Sequence, residues 1–356
     1  AVEKAVKDAR LSYGAVNAYA SPRRLIVVIE NVAAKQEELN ETELGPKVAQ
    51  AFDGDTPGPA ALGFARKHNV EVNDLLKIEN NGDMYIAVEK FNAGSDACEV
   101  LANALPNAIS QLNAAKNMRW GAPDLEFSRP IRTILALHGE HVIPFVYSDL
   151  ASGRVTRVHR GDPVSPERVI KNANELLSGL RAVGIEPDAA ERLKLITEKT
   201  NELISSFGGV VDFNAPVLQE VVNLVEEPTV ILGEFEARYL ELPEEILISV
   251  MIKHQRYFPV HDKSGKLTNH FIVVANGHID QDAVRHGNQN VIAARYADAA
   301  FFWDQDLKTS LEELSSRLDL ITFQESLGSV RDHVKRSANI ANAIAKILEL
   351  NSDENK

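Results

Sequence analysis

The run LPEEILISVMIKHQRYFPVHDKSGKLTNHFIVVANG, residues 242–277, limits the fold more than any other stretch of the chain. Pro243, Glu244 and Glu245 supply the proline and acidic first turn expected where a helix begins. The apolar residues that follow run to four polar ones, Lys253, His254, Gln255 and Arg256, which close the helix. Two alternating strands then flank Asp262-Lys263-Ser264-Gly265-Lys266, a five-residue turn with glycine near its end. A helix leading directly into an antiparallel hairpin is an α+β pattern.

Other stretches extend the same class. Alternation in AVNAYASPRRLIVVIE predicts two strands interrupted at Ser21-Pro22-Arg23-Arg24. Residues 33–59, acidic and then rich in Gly and Pro, read as an exposed connection. A helix at 59–68, a strand near 84–90 and a helix near 95–115 complete a first α/β unit. A strand over Ile131 to Leu137, a turn at His138-Gly139-Glu140 and the strand HVIPFVY open a second unit. Helical stretches at 165–181 and 188–206 follow, then a helix capped by Asn214 and a strand PTVILGEF. The run at 288–306 predicts a helix with Arg295, Asp298 and Phe302 on one face. There Arg295 is expected to pair with Asp298, and Phe301, Phe302 and Trp303 to enter the core. The final helix, 329–350, carries an apolar stripe through Val330, Val334, Ile340 and Ile344 that needs a partner.

At 356 residues the chain is too long for one ordinary core. The expected organisation is multidomain α+β: a mixed α/β N-terminal unit at 1–117, an α+β middle domain at 118–322, and the start of an all-helical domain at 323–356. No apolar run approaches the roughly 20 residues of a membrane span, and no secretory segment opens the chain, so a cytoplasmic location is expected. The single cysteine, Cys98, excludes an internal disulfide framework and reads as a small apolar filler.

A net charge of −13 opposes indiscriminate attraction to nucleic acid, so any such contact must be local. Two regions depart from the acidic average. Residues 119–160 hold Arg119, Arg129, Arg132, Arg154, Arg157 and Arg160 without a lysine. Their planar forks suit phosphate or carboxylate. Trp120, beside Arg119, reads either as a stacking platform or as a core anchor. Residues 253–295 hold Lys253, Arg256, Arg285 and Arg295 among their cations, and half of the chain's ten histidines. His254, His261, His270, His278 and His286 fall on several elements, so no metal site is assigned to them.

The scan for chemistry finds no phosphate-cradling glycine motif, no nucleophile elbow, no H-E-x-x-H helix and no EF-hand loop. Signatures of the two synthetase catalytic folds are absent too. No catalytic residue and no metal ligand is therefore assigned, and no cofactor is expected on this chain. Binding is the chemistry its residues offer.

Several longer blocks share one resemblance. MRWG at 118–121, SRPIR at 128–132, TRVHRG at 156–161, LPEEILISVMIKHQRYFPV at 242–260, GNQNVIAARYADAAFFWDQDL at 287–307 and FQESLGS at 323–329 resemble, in order and spacing, the β subunit of bacterial heterotetrameric glycyl-tRNA synthetases. ASPRRL at 20–25 fits that family's N-terminal part. Val158 departs from it, standing where a glycine precedes the histidine.

The resemblance implies an α2β2 ligase whose α subunit handles glycine and ATP with Mg2+, while the β subunit supports tRNA-Gly recognition and assembly. It implies the α subunit, tRNA-Gly and a second β subunit as partners, and a family chain longer at both ends. The middle region is similar to the B3/B4 module of phenylalanyl-tRNA synthetase. The residues offered to tRNA or a partner are Arg119, Trp120, Arg129, Arg132, Arg154, Arg157, His159, Arg160, Lys253, His254, Gln255, Arg256, Arg285 and Arg295. An editing-type hydrolase of mischarged tRNA and a purely structural subunit are the alternatives.

Overall fold

The computed structural model describes residues 1–112, 114–119, 126–158, 167–213 and 216–349. It is mixed α+β and divides into two compact units. The first comprises Ala1–Leu193 with Val222–Glu227 and Asn276–His278; the second comprises Lys194–Val221, Pro228–Ala275 and the chain from Ile279 onward.

The first unit opens with helix α1 (Val2–Asp8) and the antiparallel hairpin β1 (Val16–Ser21) and β2 (Arg24–Ile29), in register from Val16↔Ile29 to Ser21↔Arg24. That register leaves Pro22 and Arg23 alone at the turn. Strand β3 (Leu39–Lys47) then pairs with β5 (Asp83–Asn92), which also pairs with β4 (Leu76–Asn80). Residues 39–47 are thus a strand, not the exposed connection expected. Their acids and proline conceal strand character that the β5 partner supplies. Helix α2 (Pro59–His68) covers one face of this sheet, burying Ile86 and Ala61.

Helix α3 (Ala97–Ser110) starts at Asp96, whose carboxylate accepts from the Cys98 backbone N–H at 2.8 Å. Leu101 of that helix joins Val6, Leu11, Ile143, Phe145 and Tyr147 in one core. Half-buried Cys98 lies at its edge, and burial pushes its thiol pKa up, as suits an apolar filler. The two strands expected between 131 and 147 are broken into short pieces: Leu137–His138 pairs with His141–Val142 across the expected turn, while β6 (Ile134–Leu135) and β7 (Val146–Tyr147) lie on either side of β8 (Leu150–Gly153). Next, β9 (Val155–Arg157) pairs with β10 (Glu167–Val169), so a helix does not begin at 165. Helix α4 (Leu176–Arg181) packs Leu180 against Val158 and Ile185. Helix α5 (Ala189–Ser205) begins in this unit.

The second unit is built on the sheet order β11–β13–β12: β11 (Pro228–Glu234), β12 (Phe258–His261) and β13 (Leu267–Asn276). The hairpin foreseen at 258–276 is present, and Asp262 makes its turn by accepting from the Ser264 and Lys266 N–H groups at 2.8 and 3.1 Å. Gly233 of β11 is set by packing, since a Cβ there would lie 2.6 Å from the Phe271 ring. Helix α6 (Glu244–Ser249) runs into a π-helical turn over Val250–Gln255. Helix α7 (Gln281–Asp306) is capped by Asp280, seven residues earlier than the pattern at 288 suggested. Phe235, Tyr239, Met251, Tyr257, Phe271 and Tyr296 form the core.

Two expectations fail on α7. Phe301 and Phe302 are 59% and 64% exposed, outside the core, and Arg295 does not pair with Asp298. Spacing places residues on one face without deciding which face a sheet covers. Helix α8 (Val330–Ile347) carries a Ser329/Asp332 capping box, and Val334, Ile340 and Ile344 of its stripe stand exposed. Among the described residues, no helix is long and apolar enough to cross a membrane.

The core makes one pH prediction. Burial pushes the Tyr257 hydroxyl up to about 12, and Tyr296 is displaced in the same direction by the same cause. A raised folded-state pKa means stability intact below the ordinary tyrosine value of about 10 and lost as pH climbs towards 12. Tyr257 should account for roughly 3 kcal/mol of that loss. Tyr257→Phe, which also removes the bond to Asn288, should flatten the alkaline limb in urea titrations. An unchanged limb would show that Tyr257 does not cause it.

Candidate nucleic-acid interface

In the first unit, three distant segments meet at the Ser21–Arg24 turn. Arg24 donates to the backbone carbonyl of Arg157, and Arg129 reaches the carbonyl of Pro22 at 3.5 Å. The tight hairpin projects its turn; β9 brings Arg157 alongside it. Arg24 is only 11% exposed and pairs at 2.5 Å with Glu226, which is 1% exposed and also accepts from the Ser21 hydroxyl. The Glu226 backbone is itself fixed, its N–H donating 2.7 Å to the side-chain oxygen of Asn276. Arg24 is therefore a brace, its charge offset. By contrast Arg23, Arg129 and Arg157 are exposed and have no ion-pair partner among the described residues.

Beneath the hairpin lies Arg192, fully buried. Its guanidinium donates to the carbonyls of Ala20, Glu186, Pro187 and Val222 at 2.8 to 3.0 Å. Burial pulls its pKa down, opposed by Glu226, Glu186 and Asp188.

The remaining candidates of this unit have varied positions. Arg119 is exposed and pairs with Glu126 at 2.6 Å. Arg132 is exposed. Half-buried Arg154 donates to the carbonyls of Lys171 and Glu140 at 3.3 and 3.1 Å, an internal brace. Trp120, His159 and Arg160 lie outside the described residues, as does the expected cap Asn214.

In the second unit, the helix end at 253–256 has the expected base: Tyr257, Phe258 and Pro259 are buried, with Tyr257 stacked on Phe271 at 5.0 Å. Arg256 ends the π-helical turn in the left-handed region, φ 57°, and pairs with Glu220 at 2.6 Å. Lys253 and His254 are exposed and Gln255 half-buried. Arg285 is drawn inward, donating 3.1 Å to the Leu232 carbonyl and pairing with Asp282. Arg295 is exposed on α7.

The histidines go separate ways. His254 and His286 are exposed. His261 lies 3.3 Å from Glu244, His270 stacks on Phe207 at 4.8 Å, and His278, in the first unit, lies 3.5 Å from Glu227. Among the described residues, no group of three or more His, Cys, Asp or Glu is placed to hold a metal ion.

Sequence reasoning selected Arg129 and Arg157 but left out Arg23, Arg24, Arg192 and Glu226. The SPRR turn carried a signal, two arginines at a hairpin tip, while Arg192 and Glu226 look like ordinary surface charges in the sequence. What the described residues offer chemically is a braced cationic edge.

Comparison with known proteins bears on what such an edge would meet. The profile of the glycyl-tRNA synthetase beta subunit family matches residues 1–356. The glycine–tRNA ligase beta subunit of Halothermothrix orenii is 40% identical over 351 residues, covering 98% of this chain and 50% of that protein. Its Bacillus subtilis counterpart is 37% identical over 352 residues, with coverages of 98% and 51%. A chloroplastic/mitochondrial glycine–tRNA ligase of Arabidopsis thaliana is 37% identical over 349 residues, 98% of this chain and 32% of that protein. The chain spans about half the length of the bacterial relatives it matches.

Proposed function

The chain belongs to the glycyl-tRNA synthetase beta subunit family, and on that premise we propose that it helps a glycine–tRNA ligase recognise tRNA-Gly and assemble with its α subunit. In this reading the complex is an α2β2 enzyme of the cytoplasm, and the α subunit carries the chemistry of glycine, ATP and Mg2+. The observation behind it is the set of exposed arginines, Arg23, Arg129 and Arg157, around one braced turn. On a chain of net charge −13, such a patch lets a polyanion dock at one place and be repelled elsewhere.

The middle region, 118–322, is read as a scaffold that also touches RNA. Editing is a poorer reading: a second sieve admits competitors smaller than the cognate amino acid, and none is smaller than glycine.

Fluorescence anisotropy with labelled tRNA-Gly and an unrelated tRNA, across a salt series, tests the proposal. Affinity should fall linearly on logarithmic axes as salt rises. A folded sample that binds neither tRNA would refute RNA recognition by this chain.

A further inference from the structure

We propose that the Arg23–Arg129–Arg157 edge grips the phosphate backbone of a tRNA stem and positions the RNA without reading its sequence. This rests on the tRNA-recognition reading above and assigns that role to one edge of the first unit.

The geometry separates support from contact. Arg24, whose charge is offset by buried Glu226, spends its fork on the turn: one nitrogen on Glu226, another on the Arg157 carbonyl. Arg129 lies beside the same turn, one nitrogen 3.5 Å from the Pro22 carbonyl in a long contact that leaves its guanidinium exposed. The tip is anchored by Arg24, and Arg192 fixes the Ala20 carbonyl just before it. Arg23, between those anchors, has a held backbone and an exposed guanidinium. Arg157 likewise sits in a paired strand with its side chain exposed. Little backbone freedom is left to lose when a ligand arrives.

The residue chemistry fits phosphate. A guanidinium presents parallel N–H donors that match two phosphate oxygens and keeps its charge at every physiological pH. Contacts of this kind set register and orientation but carry no base information. They also release condensed counterions, so each leaves a signature in the salt dependence. Three exposed forks from three segments suit successive phosphates along a strand better than one buried anion, since none of the three is enclosed.

The test uses the same chain and two tRNAs, tRNA-Gly and an unrelated one. Arg23→Gln, Arg129→Gln and Arg157→Gln should each lower the slope of log affinity against log salt by about one unit. Each should weaken both tRNAs alike, by roughly five- to tenfold at about 0.1 M salt. The triple Gln variant should lose about a hundredfold or more, with the ratio between the two tRNAs unchanged. A triple Lys variant, which keeps the charges, should retain most of the slope. If the wild-type chain binds tRNA and the triple Gln variant keeps its slope, this inference fails while the recognition reading stands. A changed ratio between the tRNAs would make the edge a base reader and overturn it. Loss in the triple Lys variant as large as in the Gln variant would remove charge as the cause. Absence of tRNA binding by the wild type would overturn both.

Discussion

Arg192→Leu should lower the stability of the first unit by at least about 4 kcal/mol, read as a shift in its urea unfolding transition. The reason lies in what the guanidinium holds. Four carbonyl oxygens, those of Ala20, Glu186, Pro187 and Val222, end on one side chain that is 0% exposed. Leucine fills some of the volume and satisfies none of them. Each buried acceptor left without a donor costs about 1–3 kcal/mol, softened where the backbone relaxes towards water. Leucine does remove the penalty of burying a charge, the same penalty that pulls the Arg192 pKa down. That gain is smaller than the loss because Glu226, Glu186 and Asp188 already offset part of the charge. Arg192→Lys should recover only a minor part, since one ammonium cannot span the positions that a planar fork reaches. A loss below about 1 kcal/mol for leucine would mean these carbonyls find other donors, and the cross-linking role would have to be given up.

The contrast between Arg192 and the hairpin at 258–276 shows what a sequence makes legible. Strand alternation and the Asp262–Lys266 turn are local, and the turn is formed by Asp262 with its own next residues. The family blocks were legible for a related reason, being long runs in fixed order. The π-helical turn at 250–255 was not, because it continues α6 directly with no glycine or proline between Ser249 and Gln255 to mark the change. Nor was β3, whose strand state depends on β5 some forty residues away.

The site divides in the same way. Arginine content marked 119–160 as unusual, yet it could not separate Arg154, which braces two carbonyls, from Arg157, which does not. That distinction is made by tertiary contacts to residues 140 and 171. Arg23 and Arg24 are neighbours in sequence with opposite roles, because a two-residue turn points one outward while the other meets Glu226, 202 residues on.

Glu226→Leu should cost about 3–5 kcal/mol, because it strands the Arg24 guanidinium in a largely buried place. The Ser21 hydroxyl would lose its acceptor as well. The pair is costly to break without being a strong source of net stability. Glu226 Oε2 and Arg24 Nε are both buried and have no hydrogen-bond partner among the described residues, so the desolvation of the two charges is incompletely repaid. Replacing both ends with apolar groups should therefore restore most of the loss: Arg24→Met with Glu226→Leu is expected within about 1 kcal/mol of the wild type. Arg24→Met alone strands the Glu226 carboxylate at a similar cost, so the cycle of the two single variants and the double then gives a coupling of at least about 5 kcal/mol. Stability and RNA affinity should come apart in that double variant. Its core is repaired, but the clamp from Arg24 to the Arg157 carbonyl is gone, so the turn that presents Arg23 is less fixed and tRNA should bind more weakly at low salt. A double variant as unstable as Glu226→Leu alone would show that packing, not the stranded charge, sets the cost. One that is stable and binds tRNA at full strength would show that the turn needs no clamp to present its arginines.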